Sequence, residues 1–214
     1  MKTSRHAVIL DDQKIVAFSL ELLLKRECRI DMVQSFNRGN DLIQFLRAFG
    51  KEELLVFLDY YLQDENGLSI LTEIKRINGA AKVIFLTGAT APAVLASMLQ
   101  YRPDGLLSKS CELGEIQACL AAVKSRQTFI CREFEYILSS NDKRAETFTP
   151  REIEVLQYFS NGYSVAETAS KTFLSPHTVV THRRKMMAKA GCQTIAQMLK
   201  YAHEHNLIRC AENI

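Results

Sequence analysis

Between residues 6 and 124 the chain alternates five times between a short aliphatic run and a stretch with helical spacing. No other feature limits its fold as much. The runs 6–10, 30–36, 54–58, 82–86 and 105–107 are short and rich in Val, Ile, Leu and Phe, as expected for strands covered on both faces. Between them the sets Ile15, Phe18, Leu22; Leu42, Phe45, Leu46; Leu68, Leu71, Ile74; and Val94, Met98 recur at the spacing of one helical face. A strand that returns parallel to its predecessor needs a helix-length crossover, and such crossovers are right-handed. The alternation therefore predicts an α/β domain: a doubly wound parallel sheet with helices on both faces.

Residues 125–146 break this rhythm. An apolar patch (Phe129, Ile130, Phe134, Tyr136, Ile137, Leu138) leads into the polar run Ser139-Ser140-Asn141-Asp142-Lys143-Arg144, which reads as a linker. Helix-start signals follow. Thr149-Pro150-Arg151-Glu152 and Ser164-Val165-Ala166-Glu167 are capping boxes, and Ser175-Pro176 opens a helix that Gly191 can stop. A last helix spans about 194–205. The chain thus divides into 1–124, a linker over 125–146, and a smaller all-α domain over 147–214 that contains a helix-turn-helix.

At 214 residues, 47% hydrophobic and 24% charged, the chain has enough apolar content for two folded cores. The net charge of +3 is localised: from Thr147 onward there are eight Lys or Arg against five Asp or Glu, while the rest holds nineteen of each. A basic end points towards nucleic acid. The six cysteines form no CxxC pair and have no histidine at zinc-ligand spacing, so they read as free thiols in a reducing cytosol. The N-terminus lacks a signal-peptide core and no segment is long and apolar enough to span a bilayer, which predicts a cytoplasmic protein with no membrane partner.

In a doubly wound sheet, chemistry collects at the carboxyl ends of the strands where their order reverses. Asp11 and Asp12 end the first strand and Asp59 ends the third; if the strand order is 2-1-3-4-5, the three carboxylates converge. Charges of one sign at that distance need a cation, and hard oxygen ligands suit Mg²⁺. Thr87 ends the fourth strand and Lys109 follows the fifth, adding a hydroxyl and an ammonium to the same rim. The five groups could hold a phosphoryl group on Asp59, with Lys109 pairing one oxygen and Thr87 donating to another.

On these residues, 6–124 resemble the receiver domain of two-component response regulators, which implies a flavodoxin-like sheet of order 2-1-3-4-5. The acidic pair matches Asp11 and Asp12, the phosphoacceptor Asp59, the switch hydroxyl Thr87 and the lysine Lys109, while Gly67 stands at the family's spacing. Three positions depart from the family: Gln63 replaces a proline, Leu106 the aromatic switch residue, and Ser110 a second proline. Phosphate capture should survive these changes. Coupling from Asp59 to the face of the fourth helix and fifth strand is the property that these departures put in question.

Residues 148–208 resemble the LuxR-type helix-turn-helix, through the TPRE start, Gly162, Ala166-Glu167-x-Ala169 and the LSxxTVxxHR segment. Together the two ends resemble the NarL/FixJ type. Ile153, Val155, Leu156, Phe159, Val165, Ala169, Leu174, Val179, Met186 and Met187 fall at core spacing. Helical spacing puts Val180, Thr181, Arg184 and Lys185 on the exposed arc of the recognition helix, and DNA contact is expected of these with Ser175, Thr178 and Lys189, and of His182, which resembles the family's histidine. Arg184 is the first choice for guanine readout, Thr181 for a thymine methyl or base edge, and Ser175 with Thr178 for a phosphate at the helix start. Val180 stands where the family often has lysine. Lys185 and Lys189 could instead line a solvated face, and His182 could be a packed histidine.

The implied function is transcription control by a regulator that is not an enzyme beyond its own phosphoryl uptake and hydrolysis. Its implied partners are a sensor histidine kinase, double-stranded DNA, RNA polymerase, and a second copy or another regulator, since one small module buries little DNA surface. The last helix, with Ile195, Met198, Leu199 and Ala202, resembles the family's dimerisation helix or completes the core. Gln63 and Leu106 keep open a phosphorylation-independent regulator of the same architecture. A haloacid-dehalogenase-like phosphatase would need an aspartate where Tyr61 stands. A receiver used only to bind protein fits poorly with the recognition segment.

Overall fold

A computed structural model of the chain describes residues 5–62, 66–140, 148–205 and 207–208. These form two compact units, one of Met1–Gly88 with Tyr101–Tyr136, the other of Ala89–Gln100 with Ile137–Ile214.

In the first unit, β1 (His6–Leu10), β2 (Met32–Phe36), β3 (Leu55–Leu58), β4 (Lys82–Thr87) and β5 (Gly105–Ser108) form a parallel sheet ordered β2-β1-β3-β4-β5. This is the predicted order. Its central strands are aliphatic because both faces are covered: Val8, Leu10, Val56, Leu58, Val83 and Phe85 are all buried. The crossovers carry α1 (Lys14–Arg26), α2 (Gly39–Phe49), α3 (Gly67–Ile77) and α5 (Leu113–Lys124). Asn66 caps α3 by accepting from the Leu68 amide at 2.8 Å.

The sheet has a sixth strand, β6 (Phe129–Ile130), parallel to β5 and drawn from the segment read as linker. The Phe129 amide donates to Asp104 and the Cys131 amide to Leu106, so the open edge of β5 is covered where this segment passes. Helix α6 (Arg132–Ser140) follows, with Phe134 fully buried at its start. A strand of two residues satisfies an edge but leaves no alternation to read in the sequence.

The second unit gathers α4 (Pro92–Gln100), α7 (Pro150–Ser160), α8 (Val165–Thr172), α9 (Pro176–Lys189) and α10 (Ile195–Glu204). Within it the buried Ser97 hydroxyl donates to the Phe148 carbonyl at 2.8 Å. Both predicted capping boxes form, at Thr149/Glu152 and Ser164/Glu167, and a third forms at Thr194/Gln197. Ser175 caps α9 through the Thr178 amide, and Gly191 (φ 64°) takes the left-handed stop. Ile153, Val155, Leu156, Phe159, Ala169, Val179 and Met186 are buried as expected, with Met198 and Ala202 of α10. Val165, Leu174 and Met187, also expected in the core, are half-buried.

Among the described residues no helix is long and apolar enough to cross a membrane. Cys28, Cys111, Cys119, Cys131 and Cys192 are free thiols, and Cys210 lies outside the described residues.

Candidate functional site

The register Leu10↔Leu58 places Asp11 and Asp59 side by side, one residue beyond paired strand ends. The Asp59 amide donates to the Leu10 carbonyl at 2.9 Å, which fixes the start of its loop. The return path is equally tight, because the Gly67 amide donates to the Tyr60 carbonyl at 2.9 Å. A Cβ on Gly67 would stand 2.4 Å from the Asp59 carbonyl oxygen and 2.9 Å from the Tyr60 Cα, so only glycine lets the chain pass.

One carboxylate oxygen from each of Asp11, Asp12 and Asp59 lies within 4.8 Å of the others. Asp11 and Asp59 are 3% and 1% exposed. The Lys109 ammonium sits 2.7 Å from Asp11 Oδ2 and 2.7 Å from Asp59 Oδ2. Gln13 joins from both sides: its amide donates to Asp11 Oδ1 at 2.9 Å, and its Oε1 accepts from Lys109 at 3.4 Å. The Tyr61 amide donates to Asp59 Oδ1 at 3.3 Å. Burial pushes the Asp11 carboxyl above the usual carboxylate range; the Lys109 hydrogen bond opposes the rise and the Asp59 charge adds to it. Three carboxylates around one ammonium leave negative charge that a hard divalent cation would neutralise, and an all-oxygen donor set fits such an ion.

Thr87, fully buried, closes β4 opposite Ser108 of β5, and its carbonyl accepts from the Lys109 amide at 2.9 Å. The predicted Asp11, Asp12, Asp59, Thr87 and Lys109 thus all stand at one sheet edge. Leu106 is fully buried in β5, and Gln63 lies outside the described residues. Sequence reasoning did not single out Gln13 or the Tyr61 amide. The Asp11-x-Gln13 spacing of an Asx turn was the available signal for the first; the second is a backbone group and leaves none.

In the second unit α8, a turn and α9 form the helix-turn-helix. Phe173 turns the chain in the left-handed region (φ 55°), and the Leu174 amide donates to Ala169. Arg184 and Lys185 are exposed on α9, while Thr178, Val180, Thr181 and His182 are half-buried. The Ser175 and Thr178 hydroxyls are 2.8 Å apart, and the Thr181 hydroxyl donates to the His177 carbonyl at 2.9 Å. His182 has a buried Nδ1 with no hydrogen-bonding partner among the described residues, and burial holds its pKa below the ordinary value. Lys189 turns inward: its ammonium lies 2.7 Å from Glu152 Oε2 and 5.6 Å from the Phe148 ring centroid. Glu152 is 2% exposed and accepts from the Thr149 amide as well, so it ties the start of α7 to the end of α9.

Two family models match the chain. Residues 7–121 match the response regulator receiver domain, and 146–202 match the bacterial regulatory proteins of the luxR family. The chain is 28% identical over 206 residues to the Fimbriae Z protein of Salmonella typhimurium, covering 94% of this chain and 97% of that one. It is 26% identical over 208 residues to the response regulator protein VraR of Staphylococcus saprophyticus, covering 94% and 98%. Among solved structures it resembles RcsB from Salmonella enterica serovar Typhimurium bound to promoter rprA in the presence of the phosphomimetic BeF3-, with TM-score 0.73, 26% identity and 93% and 98% coverage. The chain belongs to the response regulators of the NarL/FixJ type, in which a receiver domain is joined to a LuxR-type DNA-binding domain and regulates transcription.

Proposed function

We propose that Asp59 accepts a phosphoryl group from a sensor histidine kinase, and that this modification controls how the second unit binds duplex DNA. The observation that carries the reading is the placement of Asp59 beside Asp11 and Asp12, with the Lys109 ammonium between Asp11 and Asp59. Asp11, Asp12 and Asp59 would hold Mg²⁺, which when bound offsets negative charge on the phosphoryl oxygens. Lys109 exchanges its bond to Asp59 for one to a phosphoryl oxygen, and Thr87 supplies a hydroxyl to another. The receiver's chemistry is confined to this uptake and its later hydrolysis.

At the other end, Arg184 reads guanine by a bidentate contact and Lys185 holds the DNA backbone. Val180 and Thr181 offer methyl groups to thymine. Ser175 and Thr178 orient the start of α9 towards a phosphate, with His182 packed behind it. Lys189 acts inside the bundle through Glu152 rather than on DNA. Two copies bind paired half-sites, using the half-buried Ile195 and Leu199 of α10 as the contact, while Met198 and Ala202 complete the core. The DNA-bound pair acts on transcription through RNA polymerase, in the cytoplasm.

Labelled phosphoramidate with Mg²⁺ tests the first half. The wild-type chain is expected to take up one acid-stable, alkali-labile phosphoryl group, and Asp59→Asn none; equal labelling of the two would refute the assignment.

A further inference from the structure

The segment between the two family matches, residues 122–145, holds β6 and α6, and α6 is hydrogen-bonded to the loop that carries Lys109. We propose that Ser110 and Glu133 form a positioning pair through which the state of Asp59 reaches α6, and so the chain leading to the DNA-binding domain. This rests on Asp59 being the phosphoacceptor.

The geometry is continuous from the site outward. Ser108 is the register partner of Thr87, and the Lys109 amide donates to the Thr87 carbonyl, so both groups that would follow a phosphoryl oxygen flank Ser108. The buried Ser108 hydroxyl lies 2.6 Å from the Ser110 hydroxyl and accepts from the Ser110 amide at 3.2 Å. Ser110 in turn donates to Glu133 Oε2 at 2.8 Å, in the first turn of α6. Two further bonds hold the same turn: the Arg132 amide donates to Glu115 Oε1 at 3.0 Å and the Cys131 amide to the Leu106 carbonyl at 3.0 Å.

Proline at position 110 would have neither the amide nor the hydroxyl for these bonds. Serine supplies both, in the chain where Leu106 replaces an aromatic ring. When Lys109 leaves the Asp59 carboxylate to follow a phosphoryl oxygen, the adjacent Ser110 cannot shift without changing its bond to Glu133. Residue 133 belongs to the first unit, while the same helix from Ile137 onward belongs to the second. A displacement at its first turn is therefore passed to the chain that follows.

Hydrogen exchange on the full chain, with and without beryllofluoride and Mg²⁺, tests this. In the wild type, peptides containing Asp59 and Lys109 are expected to gain protection and those covering 129–140 to change with them. In Ser110→Ala and Glu133→Ala the first response is expected to remain. The second, with the gain in DNA affinity, is expected to fall by roughly two- to thirtyfold, and Ser110→Thr to restore it. Wild-type behaviour of 129–140 in both variants, or no change there while Asp59 responds, overturns the pair's role and leaves the phosphoacceptor standing. No response at Asp59 overturns both.

Discussion

Replacing Lys109 with methionine is expected to lower the stability of the metal-free first unit by about 3–5 kcal/mol, because two nearly buried carboxylates lose the ammonium they share. The substitution keeps much of the aliphatic stem, so packing changes little and the loss is electrostatic. Asp11 and Asp59 each lie 2.7 Å from that ammonium. Urea unfolding in EDTA measures the cost, and saturating MgCl₂ should return part of it, about 2.7 kcal/mol at a hundredfold excess over Kd. Acidification should help as well. The Asp11 carboxyl already has a raised pKa in the folded chain, so it contributes stability below its unfolded pKa that is lost as pH rises through the folded one. An unchanged midpoint in EDTA, or no response to Mg²⁺, would contradict the charge balance described for this site.

Arg184→Ala is expected to weaken binding to the preferred duplex by about 1–3 kcal/mol, or roughly five- to 150-fold, and to relax selectivity at one base position in each half-site. Arg184 is exposed near the middle of α9 and has no role in the core. Lys185→Ala should behave differently, weakening binding to all sequences alike and lowering the salt dependence by about one ion. Fluorescence anisotropy across a salt series, on preferred and scrambled duplexes, separates the two. If Arg184→Ala left the preference for the natural site intact, base readout would belong to another residue of α9.

What was legible in the sequence is what depends on near neighbours. The parallel sheet followed from alternation, and its order, with the rim of Asp11, Asp12, Asp59, Thr87 and Lys109, from the receiver resemblance. Both expected capping boxes formed because each needs only residues three apart. Distant partners were not legible. Glu152 meets Lys189 across 37 positions, so a lysine that reads as a backbone contact in sequence is an internal tie in the fold. Ser110 meets Glu133 from a segment with the composition of a linker. Ser97 of α4 donates to a main-chain carbonyl 51 positions away, that of Phe148. Composition carries no trace of such a pair. The recognition helix was legible as a motif, but the motif could not say that His182 would be half-buried with an unsatisfied ring nitrogen.

Genome-wide footprinting of the wild-type chain and of Asp59→Asn, each with and without beryllofluoride and Mg²⁺, tests the dependence of DNA binding on Asp59. The expected result is a set of sites with two-fold symmetry, occupied more fully by the wild type when the phosphoryl mimic is present and unaffected by it in Asp59→Asn. Equal occupancy in all four conditions would contradict the account and leave a regulator that binds DNA without reference to Asp59.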